Sequence, residues 1–439
     1  MATQYSIVGT TAKGIAASVE QAVSEGGLGP GDALPPVRRL AGELGVSPGT
    51  VATAYKELRQ RGVVMTRGRG GTVVSEAPSV ASRRPPRVPA GLVDLAGGHP
   101  DPAFMPDLRP PALVPPVYGS HRAAPRLPAL EELTRAWFAR DGVPTDHVTF
   151  AHGALDCIAR LLSTELRPGD AVAVEDPGFH HLLDLVPALG LRMVPVAVDG
   201  EGLVPDALRT ALRAGVRAVV CSPRGQCPTG AYVTEARRDE LVAVLREFPT
   251  VLVVEDDHNA DIAGAPAFTL AAAGLERWAQ VRTASKHLGI DLRWAGLACD
   301  AATLARHDGR MLMTSGWVSH VLQETAAGLL ADPEVTRLVA AGEAAYTSRR
   351  TALIDALAGH GIAAVGRSGL NVWVPVRDES AVVNGLRTRG WWVAAGARFR
   401  IATPTAVRIT TAALEVAAAG RLASDFAEVL GEAQATYGG

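Results

Sequence analysis

The chain has 439 residues, 47% of them hydrophobic and 20% charged, with a formal net charge of −2. That length exceeds one ordinary domain and implies about two or three. The near-neutral charge excludes a polycation, so contact with nucleic acid has to come from a local patch. The four cysteines, Cys157, Cys221, Cys227 and Cys299, show no CxxC spacing, which argues against a zinc module and against a disulfide-stapled secreted domain.

The start, Met1-Ala2-Thr3-Gln4-Tyr5, has no basic region followed by an apolar core, so no signal peptide is expected. No apolar run approaches the roughly 20 residues of a membrane helix, and the expected location is cytoplasmic. Of the 43 lysine and arginine residues only three are lysines: Lys13, Lys56 and Lys286. A chain so biased towards arginine keeps a lysine where a guanidinium cannot substitute. A guanidinium stays charged, whereas an amine can lose its proton and attack a carbonyl.

Residues 1–77 read as a small DNA-binding module. Ile15, Val19, Ala22 and Val23 repeat with helical spacing. A second short helix follows Pro35-Pro36, with Val37, Leu40, Ala41 and Leu44 inward and Arg38 and Arg39 outward; Gly45 stops it. Ser47 is placed to cap a third helix with Pro48 at its first position, and Val51, Ala54, Tyr55 and Leu58 form its inner face. Val63-Val64-Met65-Thr66 and Thr72-Val73-Val74 then flank Arg67-Gly68-Arg69-Gly70-Gly71, a hairpin with a basic, glycine-rich tip. Glycine lets a backbone approach phosphates closely, and arginine neutralises them. Between residues 30 and 75 seven basic residues face three acidic ones. This ordered set resembles the GntR class of winged helix-turn-helix regulators. The resemblance implies that Arg38, Ser47, Thr50, Arg69 and Gly70 meet double-stranded operator DNA. Pro48 stands where that family often has a basic or polar contact residue, so base preference does not carry over.

Residues 78–92 are rich in proline and arginine without apolar period and read as a solvated linker. From residue 93 to 439, short apolar strands such as Ala171-Val172-Ala173-Val174, Ala218-Val219-Val220-Cys221 and Val251-Leu252-Val253-Val254 alternate with amphipathic helices. That alternation argues for an α/β fold with a mostly parallel sheet, whose ligands sit at the carboxyl ends of the strands. The chemically distinctive residues fall there: Glu255-Asp256-Asp257-His258 after one strand, Ser222 through Cys227-Pro228-Thr229-Gly230 after another, and Phe179 beyond a third. His152-Gly153-Ala154-Leu155 opens a helix able to offer N–H groups to a phosphate, and Arg293 lies seven positions after Lys286.

Together these residues resemble fold-type I pyridoxal-phosphate enzymes, the aspartate aminotransferase superfamily. The resemblance implies that Lys286 holds pyridoxal 5'-phosphate as a Schiff base and that Asp256 pairs with its ring nitrogen. It assigns the phosphate to Arg293, Thr283 and the helix start at Gly153, Ala154 and Leu155, and the stacking on the ring to Phe179. Tyr118 would reach a neighbouring subunit's phosphate, implying a homodimer, and Arg408 would grip the carboxylate of a small amine or amino acid. His258 and Cys227 stand where the superfamily usually has tyrosine and often asparagine, both donors to the cofactor's phenolic oxygen. That change puts transaminase-level tuning in doubt. Other uses of these groups are less suitable. No GxxxxGK[ST] loop accompanies the acidic cluster, which disfavours a nucleotide-bound magnesium site. Cys227 with His258 lacks an orienting third group, and His180-His181, adjacent on a helix, should point apart and make a poor metal pair.

A winged helix-turn-helix joined to an aminotransferase-like domain resembles the MocR branch of GntR regulators. The expected protein is a transcription factor that senses pyridoxal phosphate or an amino compound. The alternative is a working aminotransferase with an accessory DNA-binding head.

Overall fold

The computed structural model describes residues 7–24, 27–29, 31–60, 63–66, 71–74, 88–108 and 124–437. The chain folds as two compact units. In the N-terminal one, α1 (Ala12–Ser24), α2 (Val37–Leu44) and α3 (Pro48–Gln60) precede the antiparallel strands β1 (Val64–Thr66) and β2 (Thr72–Val74). Gly45 closes α2 in the left-handed conformation at φ 66°, where a side chain would be strained. Ser47 Oγ accepts the Thr50 N–H at 3.1 Å, the capping bond expected at the start of α3. Ile15, Val19, Leu40, Val51, Ala54, Tyr55 and Leu58 form one buried core.

The second unit begins with β3 (Val93–Leu95) and α4 (Pro128–Ala139). The chain continues with β4 (Val148–Ala151), α5 (Ala154–Glu165), β5 (Ala171–Asp176), α6 (His180–Ala188), β6 (Arg192–Asp199), β7 (Gly202–Leu203), α7 (Pro205–Arg213), β8 (Ala218–Cys221), α8 (Glu235–Arg246), β9 (Leu252–Asp256), β10 (Trp278–Thr283) and β11 (Ala295–Cys299). These strands build a sheet of order β4-β11-β10-β9-β8-β5-β6-β7. Strands β5, β8, β9 and β10 run parallel, and β11 runs antiparallel to both its neighbours. Helices α9 (Ala301–Met313), α10 (His320–Ala331) and α11 (Pro333–Gly359) lead to β12 (Asn371–Pro375), α12 (Glu379–Thr388), β13 (Trp391–Ala395), β14 (Ala406–Thr410) and α13 (Ala419–Tyr437). The last strands form a smaller sheet of order β12-β14-β13-β3, so the first strand of the unit joins its C-terminal part.

The central strands β5, β8, β9 and β10 are buried along their whole length, as expected of a sheet covered on both faces. Two strands run further than their apolar runs suggest, β5 through Asp176 and β9 through Asp256. Asp176 stays in the ladder because its side chain finds donors. Asp176 accepts the N–H groups of Ile401, Ala402 and Thr403 at 2.7 to 3.1 Å.

Candidate cofactor site and DNA-binding head

The parallel strands bring their carboxyl ends to one edge, with Asp256 in register with Val281 and Glu255 with Cys221. The three consecutive acids there have different partners. Glu255 is taken by the Thr269 hydroxyl and the N–H groups of Leu270 and Ala271. Asp257 lies between Arg224 (2.9 and 3.0 Å) and Arg282 (2.9 Å), both of which also reach Asp141. Burial raises a carboxyl's pKa, but these two guanidinium groups hold Asp257 below its usual range. Asp261 goes to Trp137 and Arg140. Asp256 remains, 6% exposed, with Oδ2 at 3.5 Å from His258 Nδ1 and Oδ1 buried without a hydrogen-bond partner. A buried carboxylate oxygen in that condition is costly unless something donates to it.

Lys286 ends the short 3-10 turn that follows β10. Its Nζ donates to the Gly98 carbonyl at 2.5 Å. Burial is the main force that lowers its pKa to about 8, with Arg408 adding to the effect and Cys227 and Asp256 opposing it. Burial opposes charge on His258, yet the Asp256 carboxylate outweighs it and raises that imidazole's pKa. The Phe179 ring stacks towards His258 at 6.3 Å and 19°.

Arg408 lies in β14, between Trp373 of β12 and Ala394 of β13. It is buried, its guanidinium 4.5 Å from the Phe399 ring centre. One Nη donates to the Ala96 carbonyl and the other reaches Cys227 Sγ at 3.7 Å, while Nε has no hydrogen-bond partner. Arg293, in the left-handed region at φ 45°, donates to the His152 carbonyl at 3.3 Å. A Cβ on Gly153 would stand 3.0 Å from the Arg293 guanidinium, so glycine is required for that approach. Gly153 caps α5 without a side-chain hydrogen bond, so the first turn at Ala154 and Leu155 opens beside Arg293. Thr283 Oγ1 accepts the Ser285 N–H at 3.3 Å.

The structure thus links Lys286, Asp256, His258, Cys227, Phe179 and Arg408 in one cluster, and joins Arg293 to the α5 start at Gly153. Tyr118, Arg69 and Gly70 lie outside the described residues. Arg38 and Ser47 are exposed and Thr50 is half-buried. One expectation changes. His180 and His181 do not point apart: their ring centres are 4.0 Å from each other, and Phe179 lies edge-on to both. Burial first, then the His181 charge, lowers the pKa of His180 to about 3. His258 and Cys227 engage Asp256 and Arg408, so each already has a protein partner besides any cofactor oxygen. The sequence reading missed Ala96, Gly98 and Phe399. The available signal was the run Gly97-Gly98-His99-Pro100 directly after a strand.

Among the described residues no group of His, Cys, Asp and Glu could hold a metal ion, and no helix is long and apolar enough to cross a membrane. Residues 11–74 match the bacterial regulatory proteins of the gntR family, and residues 123–426 match aminotransferase class I and II. The chain is 38% identical over 431 residues to the vitamin B6 salvage pathway transcriptional repressor PtsJ of Salmonella typhimurium, covering 97% of this chain and 99% of that one. It is 30% identical over 259 residues to the pyridoxine biosynthesis transcriptional regulator PdxR of Corynebacterium glutamicum, covering 56% of this chain and 55% of that protein. Among solved structures, the kynurenine aminotransferase of Pyrococcus horikoshii superposes with a TM-score of 0.70 at 21% identity, over 78% of this chain and 92% of that one. That likeness establishes the fold-type I architecture of the large unit. The chain belongs to the MocR subfamily of GntR-type transcriptional regulators, in which a DNA-binding head is fused to an aminotransferase-like domain.

Proposed function

We propose that this DNA-binding regulator holds pyridoxal 5'-phosphate on Lys286 and converts the presence of that cofactor, or of an amine bearing a carboxylate, into a change in operator binding. The observation that carries the reading is the orphaned, buried Asp256 Oδ1 on a carboxylate that acts electrostatically on a lysine whose pKa is lowered to about 8. Pyridoxal phosphate supplies an aldehyde for an amine and a protonatable ring nitrogen that makes the ring an electron sink. The residues suit such a guest. Lys286 offers a substantial neutral fraction for bond formation, and Asp256 presents an acceptor to a ring N–H. Arg293, Thr283 and the first turn of α5 receive the phosphate, and Phe179 covers the ring. Arg408 keeps Nε free for a carboxylate. Tyr118 completes the partner's phosphate site in a homodimer, and Arg38, Ser47, Thr50, Arg69 and Gly70 contact the operator. Given the likeness to a vitamin B6 salvage repressor, the effector is a B6 vitamer and the controlled genes serve its supply.

The test is titration of the purified chain with pyridoxal phosphate, followed by mobility shift on DNA upstream of its own gene. A visible absorption band that is lost in Lys286→Ala, and operator binding that changes with cofactor, are the expected results. Absence of any band would refute cofactor binding. Sustained turnover of amino acids with a keto acid acceptor, without DNA binding, would replace this reading by the aminotransferase one.

A further inference from the structure

Both cations of the pocket are tied to one short piece of main chain. Lys286 donates to the Gly98 carbonyl and Arg408 to the Ala96 carbonyl. Asp94 stiffens the piece, since its Oδ1 accepts the N–H groups of Ala96 at 2.9 Å and Gly97 at 3.0 Å. The fit is close. Gly98 sits at φ 70°, and a Cβ there would be 3.2 Å from the Arg408 guanidinium. The piece continues β3, an edge strand that pairs with β13 at residues 93–95 while Leu95 is fully buried. In sequence β3 directly follows the linker from the DNA-binding head.

We propose that residues 96–99 form a strap that reads the occupancy of Lys286 and Arg408 and passes it along β3 to the linker. This rests on the reading that Lys286 takes an aldehyde cofactor. A free lysine ammonium has three N–H donors. Its condensation with an aldehyde forms one C=N bond and expels the carbonyl oxygen as water, leaving the nitrogen at most one N–H. That nitrogen is then drawn to the ligand, and the Gly98 carbonyl loses its donor. A carboxylate docking two-pronged on the Nε–Nη edge of Arg408 takes the free Nε and competes with the Ala96 carbonyl for that Nη. Each ligand therefore removes one of the strap's two anchors, and the two ligands act on the same element. This is a differential interaction of the kind that a population shift needs.

Hydrogen exchange of the full-length protein, with and without pyridoxal phosphate, tests the strap, with cofactor uptake followed separately by absorbance. Expected on uptake is an increase of about threefold or more in amide exchange across residues 93–99. Asp94→Ala removes the acceptor for Ala96 and Gly97 but touches neither cation. It should take up cofactor within about twofold of the parent while losing the exchange response, because binding and coupling are separable quantities. Asp94→Asn keeps the accepting oxygen and should restore the response. Uptake with unchanged exchange at 93–99 overturns the strap and leaves the cofactor reading standing. A full response in Asp94→Ala also overturns it, and absence of uptake in the parent protein overturns both.

Discussion

The lowered pKa of Lys286 has a direct kinetic consequence. Its amine sits at about 8 in place of 10.5, chiefly because burial penalises the ammonium. Only the neutral amine attacks an aldehyde, so the capture rate follows its fraction. At pH 7 that fraction is about 9%, against about 0.03% for an ordinary lysine, a gain of roughly 300-fold. The sign is fixed by the direction of the shift: lowering the pKa moves the reactive form into the neutral pH range. Stopped-flow absorbance of pyridoxal phosphate capture, run from pH 6 to 10, should show a rise of about 50-fold between pH 6 and 8 and less than about twofold thereafter. Lys286→Ala gives the background from Lys13 and Lys56. A rate that climbs a further ~75-fold between pH 8 and 10 is the behaviour of a solvated lysine and would refute the argument.

Other substitutions probe the scaffold. Gly153→Ala places a Cβ 3.0 Å from the Arg293 guanidinium at φ 97°. The added Cβ pushes the guanidinium away from the α5 start, and the expected result is roughly tenfold weaker cofactor binding, about 1.4 kcal/mol, in an equilibrium titration. Asp257→Ala leaves Arg224 and Arg282 without their shared buried partner; urea unfolding should show a loss of about 3–5 kcal/mol. Ser47→Ala removes the acceptor for the Thr50 N–H. Thermal unfolding of the head should register about 1 kcal/mol, and mobility shifts should show weaker operator binding.

The sequence made parts of this site legible where chemistry forces the residue type. Lys286 stands out because it is the one lysine after residue 56 in an arginine-rich chain, and the structure brings it within electrostatic reach of Asp256 and Arg408. The head was readable from its caps: Ser47 and Gly45 each do what a helix start and a helix stop require. The three acids after Val254 look alike in sequence, and only their partners distinguish them. Glu255 is held by main-chain donors and Asp257 by arginines, which leaves Asp256 as the one with an unpartnered oxygen. The carbonyls of Ala96 and Gly98 were invisible for a different reason. A main-chain acceptor has no side-chain signature, and its place beside Arg408 depends on β3 returning to a sheet made by the C-terminal strands. His180 and His181 were misjudged because ideal helical spacing describes residues inside a helix, whereas these two open α6.

The Asp176 carboxylate accepts from residues 401–403 only through their N–H groups, and the Gly178 N–H donates to the Phe399 carbonyl at 2.7 Å. Such a grip is indifferent to side chains. Any residue except proline preserves the N–H at 401, 402 and 403, so this turn beside the Phe399 wall can drift in sequence while its backbone stays fastened. A lineage of regulators can therefore change the surface offered at this turn without rebuilding its fastening.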